Sequence, residues 1–445
     1  VSKSSAHRVT VILDDDPTGT QTVHGIPVLT VWGYDEIVDQ LARDTNAFFI
    51  LTNSRALPPD QAYALILEIC SNLKRASSAT GRQIGIMLRS DSTLRGHFPL
   101  EAYAAEKVFG VFDKWILCPF FEEGGRITMN DIHYIRSGGT DTPVGRTEFA
   151  LDHSFGYKSS DLREWIEEKS AGKIKKESVG SLSVGADNNP EPIISQLLSA
   201  GKFWVANTAS MKEMKTLTKA FKAVEDSGTT ILYRTAASLV QAYLGIDKKD
   251  LLSSSQLRNA TSEAKTHGGV VVIGSYVDKT TVQLKHLLEL PELNFIELNI
   301  ESKTFDEPAL LAGMAKRMND SLASGITTVL YTSRKKILAE TFQENFILAN
   351  RISRALVDII KRVDVTPDFF IAKGGITSSD IASKGLGVKK AEIIGQARPG
   401  IPVWLTGKEC RFPGLPYIVF PGNVGEAETL KELVLQILDD KAAEK

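Results

Sequence analysis

The chain has little cysteine, almost no net charge and no long apolar run. Its 445 residues include three cysteines, Cys70, Cys118 and Cys410, far apart and without a CxxC pair. That spacing argues against a zinc knuckle or a disulfide framework and suits a reducing compartment, with the thiols expected as buried apolar groups. The balance of 52 basic against 54 acidic side chains leaves a formal charge of −2, so no global field would hold the protein on nucleic acid. No segment approaches the roughly 20 apolar residues of a membrane span, and VSKSSAHRVT at the start has no apolar signal core. The expectation is a cytoplasmic protein with neither membrane nor nucleic-acid partner. Two phosphate-binding fingerprints are missing as well. There is no GxxxxGK[ST], and no GxGxxG follows a strand-like run, which disfavours a P-loop NTPase and a standard dinucleotide dehydrogenase.

What is present is an alternation of short β-rich runs with helical patterns, the signature of α/β layers. Strands are expected at VTVIL, IPVLTVW, AFFIL, IGIML, WILCP, FWVAN and TILY in the first half, and at VVVIG, FIELNI, TTVLYT, DFFIA, EIIG, VWL and YIVF in the second. A long helix is expected around 336–363. The polar, serine-rich stretch from Gly245 to Gly269 interrupts the rhythm and reads as a linker. The fold expected is therefore two α/β domains with largely parallel sheets, residues 1–250 and 265–445, and an active site in the cleft between them.

In such sheets ligands bind beyond the carboxyl ends of strands. Three strand ends in the second half look alike: VVVIG into Ser275, DFFIA into Lys373, Gly374, Gly375, Ile376, Thr377 and Ser378, and YIVF into Pro421, Gly422, Asn423, Val424 and Gly425. Glycines let a bulky anion approach the backbone, and a following helix start offers unpaired N–H groups. Thr377 and Ser378 would add hydroxyl donors and a helix cap. The same stretch also suits a plain strand-to-helix turn with Asp380 in its first turn.

The first half offers different chemistry. Asp14, Asp15 and Asp16 follow the first strand, a cluster suited to a metal, a cationic partner or proton transfer, or to a solvated turn. Arg89, Asp91 and Arg95 stand among Ser90, Ser92 and Thr93; two guanidiniums can clamp a carboxylate, or an Arg–Asp pair can simply hold the loop. Glu122, Gly125, Arg126, Asn130 and His133 follow another strand and could floor or cover the same cleft; a lone histidine is more often structural than catalytic. Groups for a small acidic polyol in one half and phosphate cradles in the other make the arrangement of a kinase.

The motifs DDDPTGT at Asp14, RSDSTLRG at Arg89, GGRITMND at Gly124, TEFA at Thr147, IGS after VVV, KGGITSSD at Lys373 and GNVG at Gly422 occur in one order over nearly the whole chain. In this the chain resembles the four-carbon acid sugar kinase family, formerly a family of unknown function, with a sugar-binding N-terminal and a nucleotide-binding C-terminal domain. The resemblance implies ATP-dependent phosphorylation of the terminal hydroxyl of a small sugar acid such as 3-oxo-tetronate, threonate or erythronate. It also implies ATP contacts at Ser275, Gly374, Gly375, Ile376, Thr377 and Gly422. Relatives often carry GGETS where Ile376 stands here, a departure that bears on the substrate and leaves the reaction class untouched.

Phosphoryl transfer needs a hydroxyl in line with the γ-phosphate, charge neutralisation by Mg²⁺ and donors, and usually a carboxylate to orient or deprotonate the hydroxyl. Asp16, or Asp15 beside it, is expected in that role. Arg89 and Arg95 would hold the substrate carboxylate, Asp91 would orient an arginine or a hydroxyl, and Thr18 would read another hydroxyl. The alternatives are a lyase or aldolase acting on a phosphorylated sugar acid, a kinase for a branched acid of the 3-oxo-isoapionate type, and a sugar-acid sensor. Homo-oligomerisation stays open.

Overall fold

A computed structural model describes residues 8–261, 267–335 and 342–443. The chain divides into two compact units, Val1–Lys248 and Lys249–Lys445. Among the described residues no helix is long and apolar enough to cross a membrane.

The first unit holds strands β1 (Val9–Asp14), β2 (Ile26–Leu29), β3 (Ala47–Leu51), β4 (Ile84–Arg89), β5 (Lys114–Cys118), β6 (Arg126–Met129), β7 (Ile132–Ser137), β8 (Thr140–Pro143), β9 (Val179–Leu182), β10 (Phe203–Ala206) and β11 (Ile231–Thr235). Eight of them form a parallel sheet in the order β2-β3-β1-β4-β11-β5-β10-β9. Parallel strands need crossovers, and helices such as Pro59–Thr80 supply them. That helix starts on a proline with its φ already set and ends at Gly81, whose φ of +67° suits a C-terminal stop. Its Ile66, Ile69, Cys70, Leu73 and Ala76 recur at helical spacing and pack on Val9, Val11, Phe48 and Ile50 of the sheet. The remaining strands, β6-β7-β8, make a separate antiparallel sheet that the sequence reading had not assigned.

The second unit holds β12 (Val270–Ile273), β13 (Asn294–Leu298), β14 (Thr328–Thr332), β15 (Phe370–Lys373), β16 (Lys390–Arg398), β17 (Ile401–Thr406) and β18 (Pro416–Phe420). The order β13-β14-β12-β15-β18 is parallel; β17 and β16 then add antiparallel. The runs EIIG and VWL thus form a hairpin closed at Pro399-Gly400, with Gly400 at φ +76°.

One expectation changes. The serine-rich linker is partly a packed segment of this unit: Leu252 and Leu257 join its core, and Arg258 makes a buried ion pair of 3.0 Å with Asp368. Its polar letters concealed two apolar anchors. The long helix runs over Phe342–Ile360, and the expected start at 336–341 lies outside the described residues.

Candidate active site

In the first unit β1 and β4 are neighbours, with Asp14 opposite Arg89 in register. The chain leaves β1 towards β2 on one side and leaves β4 towards β5 on the other. The loops after Asp14 and Arg89 therefore open where the strand order reverses, the usual ligand crevice of such sheets. The loop after β3 joins them and brings Arg55.

The three aspartates have three different environments. Asp14 is fully buried; its Oδ1 lies 3.3 Å from Arg89 Nη1, and its Oδ2 has no hydrogen-bond partner. A Cβ on Gly19 would fall 2.1 Å from the Asp14 oxygens, so the glycine makes the room this carboxyl occupies. Burial pushes its pKa up to about 7, further than the long contact to Arg89 pulls it down. Asp15, also buried, takes a two-pronged contact from Arg55, 2.5 Å from Nη2 to Oδ1 and 3.2 Å from Nε to Oδ2. Asp16 caps the short helix Pro17–Thr20: the N–H and hydroxyl of Thr18 donate to its Oδ1 at 2.8 and 2.5 Å. Of the three it is the partly exposed one, with its other oxygen 3.5 Å from Arg55 Nη1. Burial raises its pKa, but Arg55 and Thr18 outweigh that and hold the carboxyl below its ordinary value.

Across the crevice Arg95 Nε donates to Asp91 at 2.7 Å, and Arg95 Nη1 stands 3.7 Å from Asp152. Burial would raise Asp91, yet Arg95 and Arg55 hold it well below the carboxylate range. Arg89 and Arg95 thus both lie in the crevice, each already holding a carboxylate of this chain. Arg55 sits between Asp15, Asp16 and the field of Asp91. Sequence reading had passed it over, although NSRAL begins two residues after the AFFIL strand ends. Also unforeseen are Glu101, whose Oε1 accepts from Ser54 Oγ at 2.5 Å, and Arg234, whose Nη2 donates to Arg95 O at 3.1 Å.

In the segment after β5 the lone histidine is structural, the commoner role for such a residue. His133 is fully buried, with Nδ1 2.9 Å from Thr128 Oγ1 and Nε2 2.8 Å from Ser92 O. Burial pushes its pKa down to about 4, so it is a neutral anchor tying the small sheet to the loop after β4. Glu122 accepts from Met211 N–H at 3.0 Å, at the start of helix Met211–Asp226, and Asn130 is exposed. Arg126 lies in the field of Asp91 and Arg95, with its Nε buried and unbonded.

In the second unit β12, β15 and β18 are adjacent, so their three glycine-bearing ends meet. They meet at Ser275. A Cβ on Gly374, which has φ +117°, would lie 2.9 Å from Ser275 Cβ, and one on Gly422 would lie 2.7 Å from Ser275 Oγ. Thr280 Oγ1 lies 3.2 Å from Ser275 Oγ and donates to Gly422 O at 2.9 Å. The amides of Gly374 and Ser275 are already bonded, to Phe420 O at 2.9 Å and Lys373 O at 3.3 Å. These residues therefore provide close approach, and unpaired amides belong to the first helical turn of Gly375, Ile376 and Thr377. Neither Thr377 nor Ser378 caps that helix, because it begins earlier, at Gly375, with Gly374 as the cap residue. Ser378 Oγ donates back to Ala372 O at 2.8 Å, Thr377 Oγ1 packs against Gly274, and Ile376 is exposed. Asp380 stands at the helix end, bonded to Ser353 and 2.6 Å from Lys384 Nζ.

A sugar-binding N-terminal domain matches residues 10–243, and a nucleotide-binding C-terminal domain matches residues 270–430. The chain belongs to the four-carbon acid sugar kinase family. Among solved structures it is similar to a protein of Salmonella typhimurium LT2 provisionally named a tRNA synthase, with a TM-score of 0.69, 13% identity, and 97% of this chain and 99% of that one covered. It is also similar to Haemophilus influenzae protein HI1011, of the DUF1537 type, with a TM-score of 0.64, 16% identity, and 96% and 100% covered. At such identities the likeness speaks for the fold. No curated protein matches the chain. Within this family's two-domain plan, the aspartate and arginine loops fall in the sugar-binding match and the glycine junctions in the nucleotide-binding match.

Proposed function

We propose that the protein is an ATP-dependent kinase that phosphorylates the terminal hydroxyl of a small four-carbon sugar acid, of the 3-oxo-tetronate, threonate or erythronate kind. The observation that carries this reading is the convergence of three glycine-bearing strand ends on Ser275 within a nucleotide-binding domain. Side chains at Gly374 or Gly422 would fill the space a phosphate needs. ATP is accordingly assigned to Ser275, Gly374, Gly375, Ile376, Thr377 and Gly422.

In the sugar-binding unit Asp16 is the base or orienting carboxylate. It is partly exposed and kept ionised, whereas Asp15 is buried on Arg55 and holds that guanidinium in place. Thr18 reads a neighbouring hydroxyl. Arg89 and Arg95 take the substrate carboxylate with N–H groups that Asp14 and Asp91 leave, since each guanidinium has five donors; Asp91 fixes the orientation of Arg95. Mg²⁺ enters with the nucleotide, held mainly by phosphate oxygens and water. Among the described residues no group of three or more His, Cys, Asp or Glu side chains is arranged to hold a metal by itself.

Incubation with ATP-Mg²⁺ and a panel of four- and five-carbon sugar acids tests the reading. A kinase forms ADP only when its acid is present. Cleavage of a phosphorylated acid without ATP would identify a lyase, and binding without turnover a sensor; either result overturns the proposal.

A further inference from the structure

Lys373 ends β15 and is completely buried, though it carries a charge in its ordinary state. Its Nζ donates to Pro421 O at 3.1 Å and lies 3.8 Å from the centre of the Phe420 ring. The residues opposite it in register are Ile273 on β12 and Phe420 on β18, neither of them charged. Two other charged groups act on it, and both are cations. Helix Asp278–Leu287 brings Lys279, and the turn after β14 brings Arg334. Arg334 is fixed by Nε and Nη2 on Thr281 Oγ1 at 3.2 and 2.8 Å, which leaves its Nη1 buried with no hydrogen-bond partner.

Among the described residues no carboxylate lies within ion-pair distance of Lys373, Lys279 or Arg334. Asp278, at the head of the helix, is exposed, and Asp380 is engaged by Ser353 and Lys384. A buried ammonium without a counter-charge is costly, so it either sheds its proton or meets an anion. The same unit pairs its buried Arg258 with Asp368, so an uncompensated cluster is a local departure. It also adjoins Ser275, whose amide donates to Lys373 O.

We propose that Lys373, Lys279 and Arg334 form the cationic wall of the nucleotide's polyphosphate site, and that Lys373 takes up one solvent proton when the polyphosphate arrives. The inference rests on the nucleotide reading of this unit. Burial, with Lys279 and Arg334 beside it, pushes the Lys373 pKa down to about 6, so the free side chain is largely an amine at neutral pH. An adjacent polyphosphate reverses the balance. The neutral amine becomes an ammonium by gaining a proton from water, and no bond in the nucleotide changes.

Calorimetric titration of the full chain with MgADP at pH 7.5, in buffers of different ionisation heat, reads this directly. The expected result is uptake approaching one proton per nucleotide. In Lys373→Met the uptake disappears and affinity falls about 10- to 100-fold, while the free protein melts no lower than the wild type because a buried amine without a counter-charge has gone. Arg334→Gln, on a more exposed turn, weakens MgADP about 10-fold and retains uptake, and it serves if the Met variant does not fold. Equal heats in all buffers for the wild type, or full affinity in Lys373→Met, would overturn the proposal and leave the nucleotide reading standing. No MgADP binding to the wild type would overturn both.

Discussion

Both units gather charge at the carboxyl ends of parallel strands, but they balance it in opposite ways. In the first, Asp14 faces Arg89, Asp15 faces Arg55 and Asp91 faces Arg95. In the second, Lys373 is buried in the field of two further cations, Lys279 and Arg334. A paired network meets its desolvation cost inside the protein and can present fixed donors and acceptors to a hydroxylated ligand. An unpaired cationic cluster is incomplete until a polyanion supplies the opposite sign. The difference suits an acid sugar on one side and a polyphosphate on the other.

The sharpest way to break the first half of this comparison is Asp16→Asn. Loss of a positioned base costs about 10²- to 10⁴-fold in turnover, measured as acid-dependent ADP release, with melting little changed. Wild-type turnover would move the base role elsewhere. Next in size is Arg55→Ala, which leaves Asp15 buried without its cation. Removing one partner of a buried pair costs about 3–5 kcal/mol, to be read as a lower denaturant midpoint; an unchanged midpoint would mean the network is not structural. Gly374→Ala puts a Cβ 2.9 Å from Ser275 Cβ at φ +117°, a strain of about 1–3 kcal/mol. It should weaken MgADP more than it weakens acid-sugar binding.

In the pH dependence of stability the two halves should differ in sign. Asp14 has a folded pKa raised to about 7 from 3.8. Between these values the folded state holds the extra proton, so this contribution is complete below about pH 4 and is lost as pH rises through 7. Lys373 has a folded pKa lowered to about 6 from 10.5. Over that span the unfolded chain holds the extra proton, and stability rises with pH. Urea titrations across pH should show Asp14→Asn flattening the acid window and Lys373→Met the alkaline one. Flattening in the same window by both variants would erase the distinction.

Much of this was legible in the sequence because it is local. Strand runs such as VTVIL and VVVI and glycine at strand ends act over a few residues. The convergence of three glycine junctions followed from the rule of carboxyl ends. What escaped depends on long-range pairing. Arg55 is an ordinary residue in NSRAL until β3 lies beside β1 and Asp15 is within reach. The β6-β7-β8 sheet and the β16–β17 hairpin rest on partners that local pattern does not name. Lys373 was visible in its motif, but its significance lies in complete burial beside two cations, which only the packed structure reveals. Ser378 misled because a hydroxyl after glycines resembles a cap, while here its helix had already begun.

The most direct measurement is a crystal structure with a non-hydrolysable ATP analogue and Mg²⁺. This account predicts the triphosphate within hydrogen-bond reach of Ser275, Gly375, Thr377 and Lys373, lying against Gly374 and Gly422. A triphosphate bound among Asp15, Arg55 and Arg95, or away from Ser275 altogether, would contradict it.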